Sequence, residues 1–523
     1  MRKFNVTGTC IPEEDYMVDV TTKLIETKKL IDDKAYFTIN RGRQYGKTTM
    51  VNQLKQFLAN DYVVISISFE GFDLEEFENA GVFSQAFLKR IHQALRFSNV
   101  DEAYRESWKN PTIKSFSGLS DHITDMCENK KIVLMIDEVD KASNNRVFLG
   151  FLGILREKFL ARKVGKDFTF HSVILVGVYD IRNIKLKMVQ DGLYTGQIDE
   201  MTTFNSPWNI ATQFNVDMSF DPNEIESMLI DYEKDHQTGM NIAEIANEIH
   251  DYTSGYPVLV SGICKYIDED LDKDWTVVGV RRAVKLILKE ERPLFDTLVK
   301  NLASNKNISH LLYNTVMVGS KRSLNAHNPI INLAYRYGYL SEVAGRLQVS
   351  NKIFEIFLTN YFIDEQIAKD LIEDHDLFVN NDGIIQGGRF NMETCLEKFA
   401  EYYAKYYHDK NETFLEREGR LVFLMFISPV LNGNGFVYME SQSADGKQTD
   451  IIVNFGNEQF IIELKIWDGK SKHEKSYTQL LEYMKKFSLT TGYLLTFNFN
   501  KNKKPHQQWT QIDENRKIFD VMV

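Results

Sequence analysis

No run of about 18 apolar residues occurs anywhere in this chain of 523 residues, so nothing in it reads as a membrane-spanning helix. The opening Met1-Arg-Lys-Phe-Asn has no apolar stretch behind it, which is not the pattern of a secretory leader. A cytoplasmic protein with no membrane partner is the expectation. Cysteine is scarce: Cys10, Cys127, Cys264 and Cys395 lie far apart with no C-x-x-C pair, which excludes a zinc ribbon or a disulfide framework and leaves core thiols. Positive charge is in deficit as well. With 62 Lys and Arg against 73 Asp and Glu the net charge is −11, which argues against a protein coated in nucleic acid. A local basic surface stays open, with Lys470, Lys472, Lys475, Lys485, Lys486 and residues 500–504 as its candidates.

What is present is ordinary globular material, 43% hydrophobic and 26% charged, in a chain long enough for three or four domains. Tyr36-Phe-Thr-Ile-Asn40 reads as a buried strand, and Thr48 to Leu58 as a helix turning Met50, Val51, Leu54 and Leu58 inward. Between them lies Arg41-Gly-Arg-Gln-Tyr-Gly-Lys-Thr48. A strand, a turn and a helix N-terminus gather backbone N–H groups and the helix dipole around a phosphate. The loop Arg43, Gln44, Tyr45 and Gly46, with Thr49 behind it, is therefore the candidate nucleotide cradle. Lys47 would reach the β- and γ-phosphates, and Thr48 would hold the nucleotide's magnesium.

Arg41 takes the place of the first glycine of the usual G-x-x-x-x-G-K-T pattern, and Gly42 follows one position later. Such R-x-R-x-x-G-K-T loops resemble those of a branch of AAA-like ATPases. Ile132 to Ile136 is a continuous apolar run ending in Asp137-Glu138, as a buried parallel strand would be, and resembles a Walker B element. Asp137 would support magnesium through water, and Glu138 would polarise the attacking water. With Val63 to Phe69 and Ser172 to Gly177 as further strands, the order is that of a P-loop ATPase with right-handed crossovers. After the last of them, Asp180, Arg182 and Asn183 offer polar groups that could sense a γ-phosphate, and the sequence does not choose among them.

Beyond Asp221 the periodicity becomes helical, through Ile225, Met228, Leu229 and Tyr232, then Ile242, Ile245 and Ile249, then Val258 to Ile267. Thr253-Ser-Gly-Tyr-Pro257 resembles a region of the ATPase lid, and is equally a simple turn and helix start. From Arg292 to Asn360 short helical patterns precede Tyr339 to Val349, which reads as a hairpin turning at Ala344-Gly345. Helices followed by a hairpin suggest a winged-helix module, a spacer or a DNA contact.

Near the C-terminus two apolar runs meet at Gly456-Asn457. A two-residue turn there pairs Phe455 with Glu458, and counting outward sets Asp450 across from Glu463. Alternation puts Asp450, Glu463 and Lys465 on one face, with Ile451, Val453, Phe455, Ile462, Leu464 and Ile466 on the other. The expectation is a hairpin with an apolar back and a charged front. Facing carboxylates destabilise a sheet unless something neutralises them, and a hard divalent ion, magnesium or manganese, would do so. Lys465 could then orient a water or stabilise charge on a scissile phosphate.

The spacing D-x(12)-E-x-K, with Thr449 in place of the usual Pro, resembles the PD-(D/E)xK nuclease superfamily, which implies that Asp450, Glu463 and Lys465 hold a metal and assist phosphodiester hydrolysis. Gln479 and Tyr483, four apart on a helix expected over Lys475 to Phe487, resemble the Q-x-x-x-Y motif of RecB-like nucleases, which positions the strand. A helix expected over Glu412 to Leu431, with an apolar stripe of Leu421, Val422, Met425 and Phe426, carries Glu418 where the resemblance implies a further metal-shell acid. Glu416 is the alternative.

Nearly the full length resembles a bacterial family that joins an AAA-ATPase-like domain to a C-terminal PD-(D/E)xK nuclease domain. The motifs are those at Arg41 to Thr48, Ile136 to Asp140, Gly177 to Asn183, Ser206 to Ala211 and Ile462 to Trp467. The expected fold is a multidomain α/β chain. A P-loop AAA-like core spans 1–219, a helical lid 220–290, a winged-helix-like module 291–365, a connecting segment 366–395, and a restriction-endonuclease-like α/β/α domain 396–523. The expected function is an ATP-hydrolysing, magnesium- or manganese-dependent nuclease acting on nucleic acid, DNA first and RNA not excluded, with nucleotide state gating cleavage and homo-oligomerisation open. The alternative is a STAND-like ATP-driven switch or assembly protein whose nuclease fold binds nucleic acid without cutting.

Overall fold

A computed structural model describes residues 2–142, 146–178, 208–318, 322–325, 328–372, 383–406, 416–431, 435–440, 450–456, 458–500 and 506–523. The chain divides into two compact units. One comprises Met1–Asp235, Gly255–Ser261 and Arg336–Gly338, the other His236–Ser254, Gly262–Tyr335 and Tyr339–Val523.

The first unit is built on four parallel strands, β1 (Tyr36–Asn40), β2 (Val63–Ser68), β3 (Ile132–Asp137) and β4 (Ser172–Gly177), in the order β1-β4-β3-β2. All six residues of β3 and of β4 are buried, as the uninterrupted apolar runs require of a parallel sheet covered on both faces. Beyond β1 the sheet gains a single parallel bridge from Phe37 to Thr212. Trp208, fully buried, donates its indole N–H to Thr38 Oγ1 at 2.9 Å, which anchors that returning chain. Helix α1 (Lys47–Leu58) follows β1 and buries Met50, Val51, Leu54 and Leu58, the four positions expected from spacing. On the far side of the sheet a phenylalanine cluster, including Phe69, Phe77, Phe83, Phe87, Phe148 and Phe151, fills the core.

Downstream, helices run over Pro222–His236, Ile242–Thr253 and Pro257–Glu269. The first buries Ile225, Met228, Leu229 and Tyr232, again the predicted stripe. In the second unit, helices over Pro293–Ser304, Lys306–Val316 and Pro329–Arg336 precede the hairpin of β5 (Leu340–Val343) and β6 (Arg346–Val349). Its turn residues Ala344 and Gly345 both have positive φ, 50° and 75°, the backbone that a two-residue hairpin loop demands.

The C-terminal sheet has six strands: β7 (Gly435–Glu440), β8 (Asp450–Phe455), β9 (Glu458–Ile466), β10 (Thr491–Phe497), β11 (His506–Gln511) and β12 (Lys517–Met522). Their order is β11-β12-β10-β9-β8-β7, with β9, β10 and β12 parallel and the flanking pairs antiparallel. Helix α2 (Met392–Tyr406) and helix α3 (Glu416–Leu431) lie on one face, and helix α4 (Lys470–Lys486) on the other. Helix α2 is placed by Phe399 and Tyr403 packing on Phe497, and α3 and α4 by two glycines. A Cβ on Gly419 of α3 would meet the Phe497 ring at 2.5 Å, and one on Gly492 would meet Met484 and Leu480 of α4. Residues 492 and 497 stand on opposite faces of β10, since side chains alternate.

Two expectations change here, and a third holds with an added detail. Helix α4 begins five residues before the expected Lys475, and of the upstream helix residues 412–415 lie outside the described ones. The apolar stripe on α3 is instead an almost continuous buried segment, Val422 to Ile427, because α3 packs against β7 and β9 on one side and α2 on another. The charged front of the hairpin keeps the expected register and is buried. Ile461, Glu463 and Thr496 are all 0% exposed, because α4 covers the side on which they stand.

Candidate active sites

In the first unit Gly46 caps α1 with φ 73° and Gln44 has φ 58°, so the loop coils tightly before handing its N–H groups to the helix N-terminus. Lys47 is 7% exposed, and its ammonium donates to the carbonyls of Arg41 at 3.2 Å and Gly42 at 3.0 Å. Burial lowers its pKa, against the pull of Glu138, Asp137 and Asp140. Thr48 Oγ1 donates to Asp137 Oδ2 at 2.8 Å, and Asp137 Oδ1 accepts the Glu138 N–H at 2.8 Å. The hydroxyl and carboxylate expected to share a magnesium ion are thus already side by side. Glu138 sits at φ 53°, and burial, then the neighbouring Asp137, raise its pKa above the ordinary carboxylate range. Asp140 accepts the Val178 N–H at 2.5 Å and so ties the end of β4 to the turn after β3. The candidate sensors Asp180, Arg182 and Asn183 lie outside the described residues.

The loop is wedged from behind. Tyr256 donates its hydroxyl to the Arg43 carbonyl at 2.8 Å and packs edge-on against Tyr45, ring centres 4.5 Å apart, while Tyr45 hydrogen-bonds Ser219 at 2.7 Å. Gly42 leaves no room for a side chain, since a Cβ would stand 2.5 Å from the Tyr337 carbonyl oxygen. Thr49 Oγ1 accepts the Cys10 N–H at 3.2 Å. Alongside opens a pocket lined by Asn5, Cys10, Tyr16, Met17, Tyr45 and Phe220 among others. The pocket was not legible in advance, because the N-terminal segment carries no motif, and the Thr253–Pro257 motif did not by itself put Tyr256 behind this loop.

In the second unit the register is the one counted from the turn: Asp450 pairs with Glu463 and Phe455 with Glu458. Asn457 of that turn lies outside the described residues. Glu463 is 0% exposed and its carboxylate is bridged by the ammonium of Lys465, itself one-fifth exposed. Asp450, Glu463 and Lys465 therefore share one face, in register. Tyr483 is buried and Gln479 half-buried on α4, the helix covering that face. Glu418 is exposed in the first turn of α3, the helix on the opposite face. The lysines proposed as a basic surface, Lys470, Lys472, Lys475, Lys485 and Lys486, are all exposed along α4, with Lys472 paired to Asp468. Residues 501–504 lie outside the described ones.

Residues 16–274 match the family model of an AAA-like domain, and residues 435–510 that of the PD-(D/E)XK nuclease superfamily. The chain joins an AAA-like domain to a PD-(D/E)XK-superfamily domain. Among solved structures, the Walker-type ATPase of Pyrococcus abyssi is 12% identical, over 68% of this chain and 99% of its own, with a TM-score of 0.46. The Aeropyrum pernix ORC2 protein in its ADPNP–ADP complexes is 11% identical, over 69% and 98%, with a TM-score of 0.35. Both likenesses are too distant to support an inference about this chain. A comparison with curated proteins gives no match.

The PD-(D/E)XK-superfamily domain holds a polar cluster that the sequence reading did not single out. Asp520, 0% exposed on β12, accepts hydrogen bonds at one oxygen, Oδ2, from His473 Nε2 at 2.8 Å, Tyr477 at 2.5 Å and His506 Nε2 at 3.3 Å. Burial pushes the Asp520 carboxyl up, but these donors outweigh it and hold it below its ordinary range. The signal was available as one aspartate inside the otherwise apolar run Ile518 to Val523, and as His473 and Tyr477 four apart on a helix.

Proposed function

We propose that the chain binds and hydrolyses ATP in its AAA-like domain and cleaves nucleic-acid phosphodiesters, DNA in the leading reading, in its PD-(D/E)XK domain, with nucleotide state gating the cut. The observation that carries the cleavage reading is the in-register pair Asp450–Glu463 with Lys465 bridged to Glu463. Two carboxylates and an ammonium on one sheet face form a donor set suited to a hard divalent ion; Glu418, on the helix of the opposite face, would join it only round the sheet end, where Gly419 beside it abuts Phe497, the β10 partner of Ile466. A bound magnesium or manganese ion would supply Lewis-acid polarisation of the phosphoryl oxygen. Lys465 then stabilises charge that develops on the phosphate or orients the attacking water, and Gln479 and Tyr483 position the strand.

In the AAA-like domain the phosphates lie against the Arg43–Gly46 loop and the N-terminus of α1. Lys47 exchanges its carbonyl partners for the β- and γ-phosphate oxygens. Thr48 and Asp137 hold the nucleotide's magnesium, and Glu138 accepts a proton from the attacking water. The adjacent pocket between the N-terminal segment and Tyr45 receives the nucleoside, because it opens beside the loop that cradles the phosphates. We keep 1–219, 220–290, 291–365, 366–395 and 396–523 as the domain division within which these roles fall.

One observation favours a second reading, an ATP-driven switch that holds nucleic acid without cutting: Glu463 is wholly buried, with one carboxylate oxygen already bridged by Lys465. Purified protein incubated with plasmid, single-stranded DNA and RNA, with magnesium or manganese and with or without ATP, separates the two. Metal-dependent cutting lost in Lys465→Ala supports the nuclease. Binding without cutting supports the switch, and cutting indifferent to both Lys47→Ala and ATP removes the gating.

A further inference from the structure

We propose that His473, His506 and Asp520 form a second cation site, for a borderline divalent ion of which zinc is the representative, pinning α4 to the C-terminal strand pair. His473 comes from α4, His506 from β11 and Asp520 from β12, so one ion would join the helix to the hairpin that ends the sheet. Their ligand atoms all lie within 4.8 Å of one another. Two imidazoles and one carboxylate are a zinc-type set, distinct from the all-oxygen carboxylates of the Asp450–Glu463 pair.

Hydrogen bonding alone uses this cluster poorly. Three donors converge on Oδ2 of Asp520, whereas the buried Oδ1 and the buried Nδ1 of His473 have no hydrogen-bond partner among the described residues. An unsatisfied buried polar atom is destabilising, and a cation on the carboxylate draws on electron pairs that the present bonds leave idle. The His473 ring is instead fixed by packing, with the Trp467 ring 5.1 Å away and the Tyr477 ring 5.4 Å away, edge-on. His506 keeps a third of its side chain exposed, which provides a way in and a place for a water as fourth ligand.

The site is separate from the proposed nuclease centre. Glu463 pairs with Leu494, and Leu494 with Asp520, so the two acids stand on one face two strands apart. At roughly 4.8 Å per strand that is about 10 Å, well beyond the roughly 4 Å of a two-metal centre. The inference does not depend on the chain being a nuclease.

The test uses untagged full-length protein stripped with chelator and titrated with cobalt(II), then zinc(II), followed by visible absorption. The expected result is nitrogen-ligated cobalt bands that saturate at a single equivalent, are bleached by zinc and persist in Glu463→Gln. His473→Gln and His506→Gln should each weaken zinc binding at least ~100-fold. His506→Gln is the safer variant, because that side chain is on an edge strand and its loss leaves Asp520 bonded to His473 and Tyr477. Absence of the bands in the folded wild type overturns the proposal. So does their survival in both histidine variants, or their loss in Glu463→Gln alone.

Discussion

Replacing Lys465 by Met keeps the length of the side chain and removes its charge, which leaves the carboxylate of Glu463 without its ammonium inside the sheet. Glu463 is 0% exposed and Lys465 one-fifth exposed. Breaking a fully buried pair costs about 3–5 kcal/mol, and the partial exposure of the lysine puts this one near the lower end, about 3 kcal/mol. That corresponds to a factor on the order of 10² in the opening equilibrium of the strand. Adding Glu463→Gln removes the stranded charge, so the double variant should recover about 2 kcal/mol of the loss. The assay is hydrogen exchange with mass spectrometry on peptides covering Glu458–Ile466, which reads local opening without requiring the whole chain to unfold in one step. If the centre cuts, both variants should lose cleavage by on the order of 10²–10³, including the restabilised double variant. Exchange in β9 unchanged by Lys465→Met would refute the buried pair. A destabilised Lys465→Met that still cuts at the wild-type rate would refute its chemical role.

Saturating ATP at about 100 times its Kd should stabilise the wild type by about 2.7 kcal/mol, and Lys47→Ala should abolish that gain in a thermal-shift titration; an undiminished shift would detach Lys47 from the phosphates. Glu138→Gln should keep nucleotide binding but lower turnover at least about 10²-fold. Because burial raises the Glu138 pKa, the acid limb of wild-type ATPase activity should fall above the ordinary carboxylate value of 4.5, with activity lost as pH drops; a limb at or below 4.5 contradicts the assignment. Gly42→Ala places a Cβ 2.5 Å from the Tyr337 carbonyl and should cost about 1–3 kcal/mol with weakened ATP binding, whereas a neutral outcome would show that the contact yields. His171 is held neutral, its pKa lowered to about 4 from 6.5 by burial and by Arg162, Lys34 and Lys131. The unfolded chain therefore takes up a proton that the folded one refuses, and stability falls as pH drops from 6.5 toward 4. His171→Phe should flatten that slope in urea titrations, and an unaltered slope would exclude this histidine as its source.

The parts legible in the sequence are those where one short-range rule fixes the answer. Gly456-Asn457 sets a register, and the register alone places Asp450 opposite Glu463. The runs at Ile132 and Ser172 are apolar without interruption, so they are buried parallel strands whatever surrounds them. The stripe Ile225, Met228, Leu229 and Tyr232 needs only the helical period. What was not legible depends on what covers a surface. A charged front on β8 and β9 is solvated only if nothing packs on it, and α4 does. Val422 to Ile427 look like one stripe only if α3 has one neighbour, and it has several.

The same distinction explains why the Asp520 cluster escaped notice while the Asp450 pair did not. Asp450 and Glu463 are thirteen positions apart and joined by one turn, so counting brings them together. His506 and Asp520 also share one hairpin, 14 positions apart, but His473 reaches them only through a parallel crossover, so the meeting of all three depends on the order β11-β12-β10-β9 rather than on a spacing. Once that order is fixed, the register carries Glu463 across Leu494 to Asp520 on one face. Helix α4 then lies over both carboxylates, with His473 and Tyr477 bonded to one, and Gln479 and Tyr483 on the same helix. A structural ion at Asp520 would therefore fix the helix whose next turns carry Gln479 and Tyr483. Its loss should loosen α4 in hydrogen exchange before it alters the Asp450–Glu463 register.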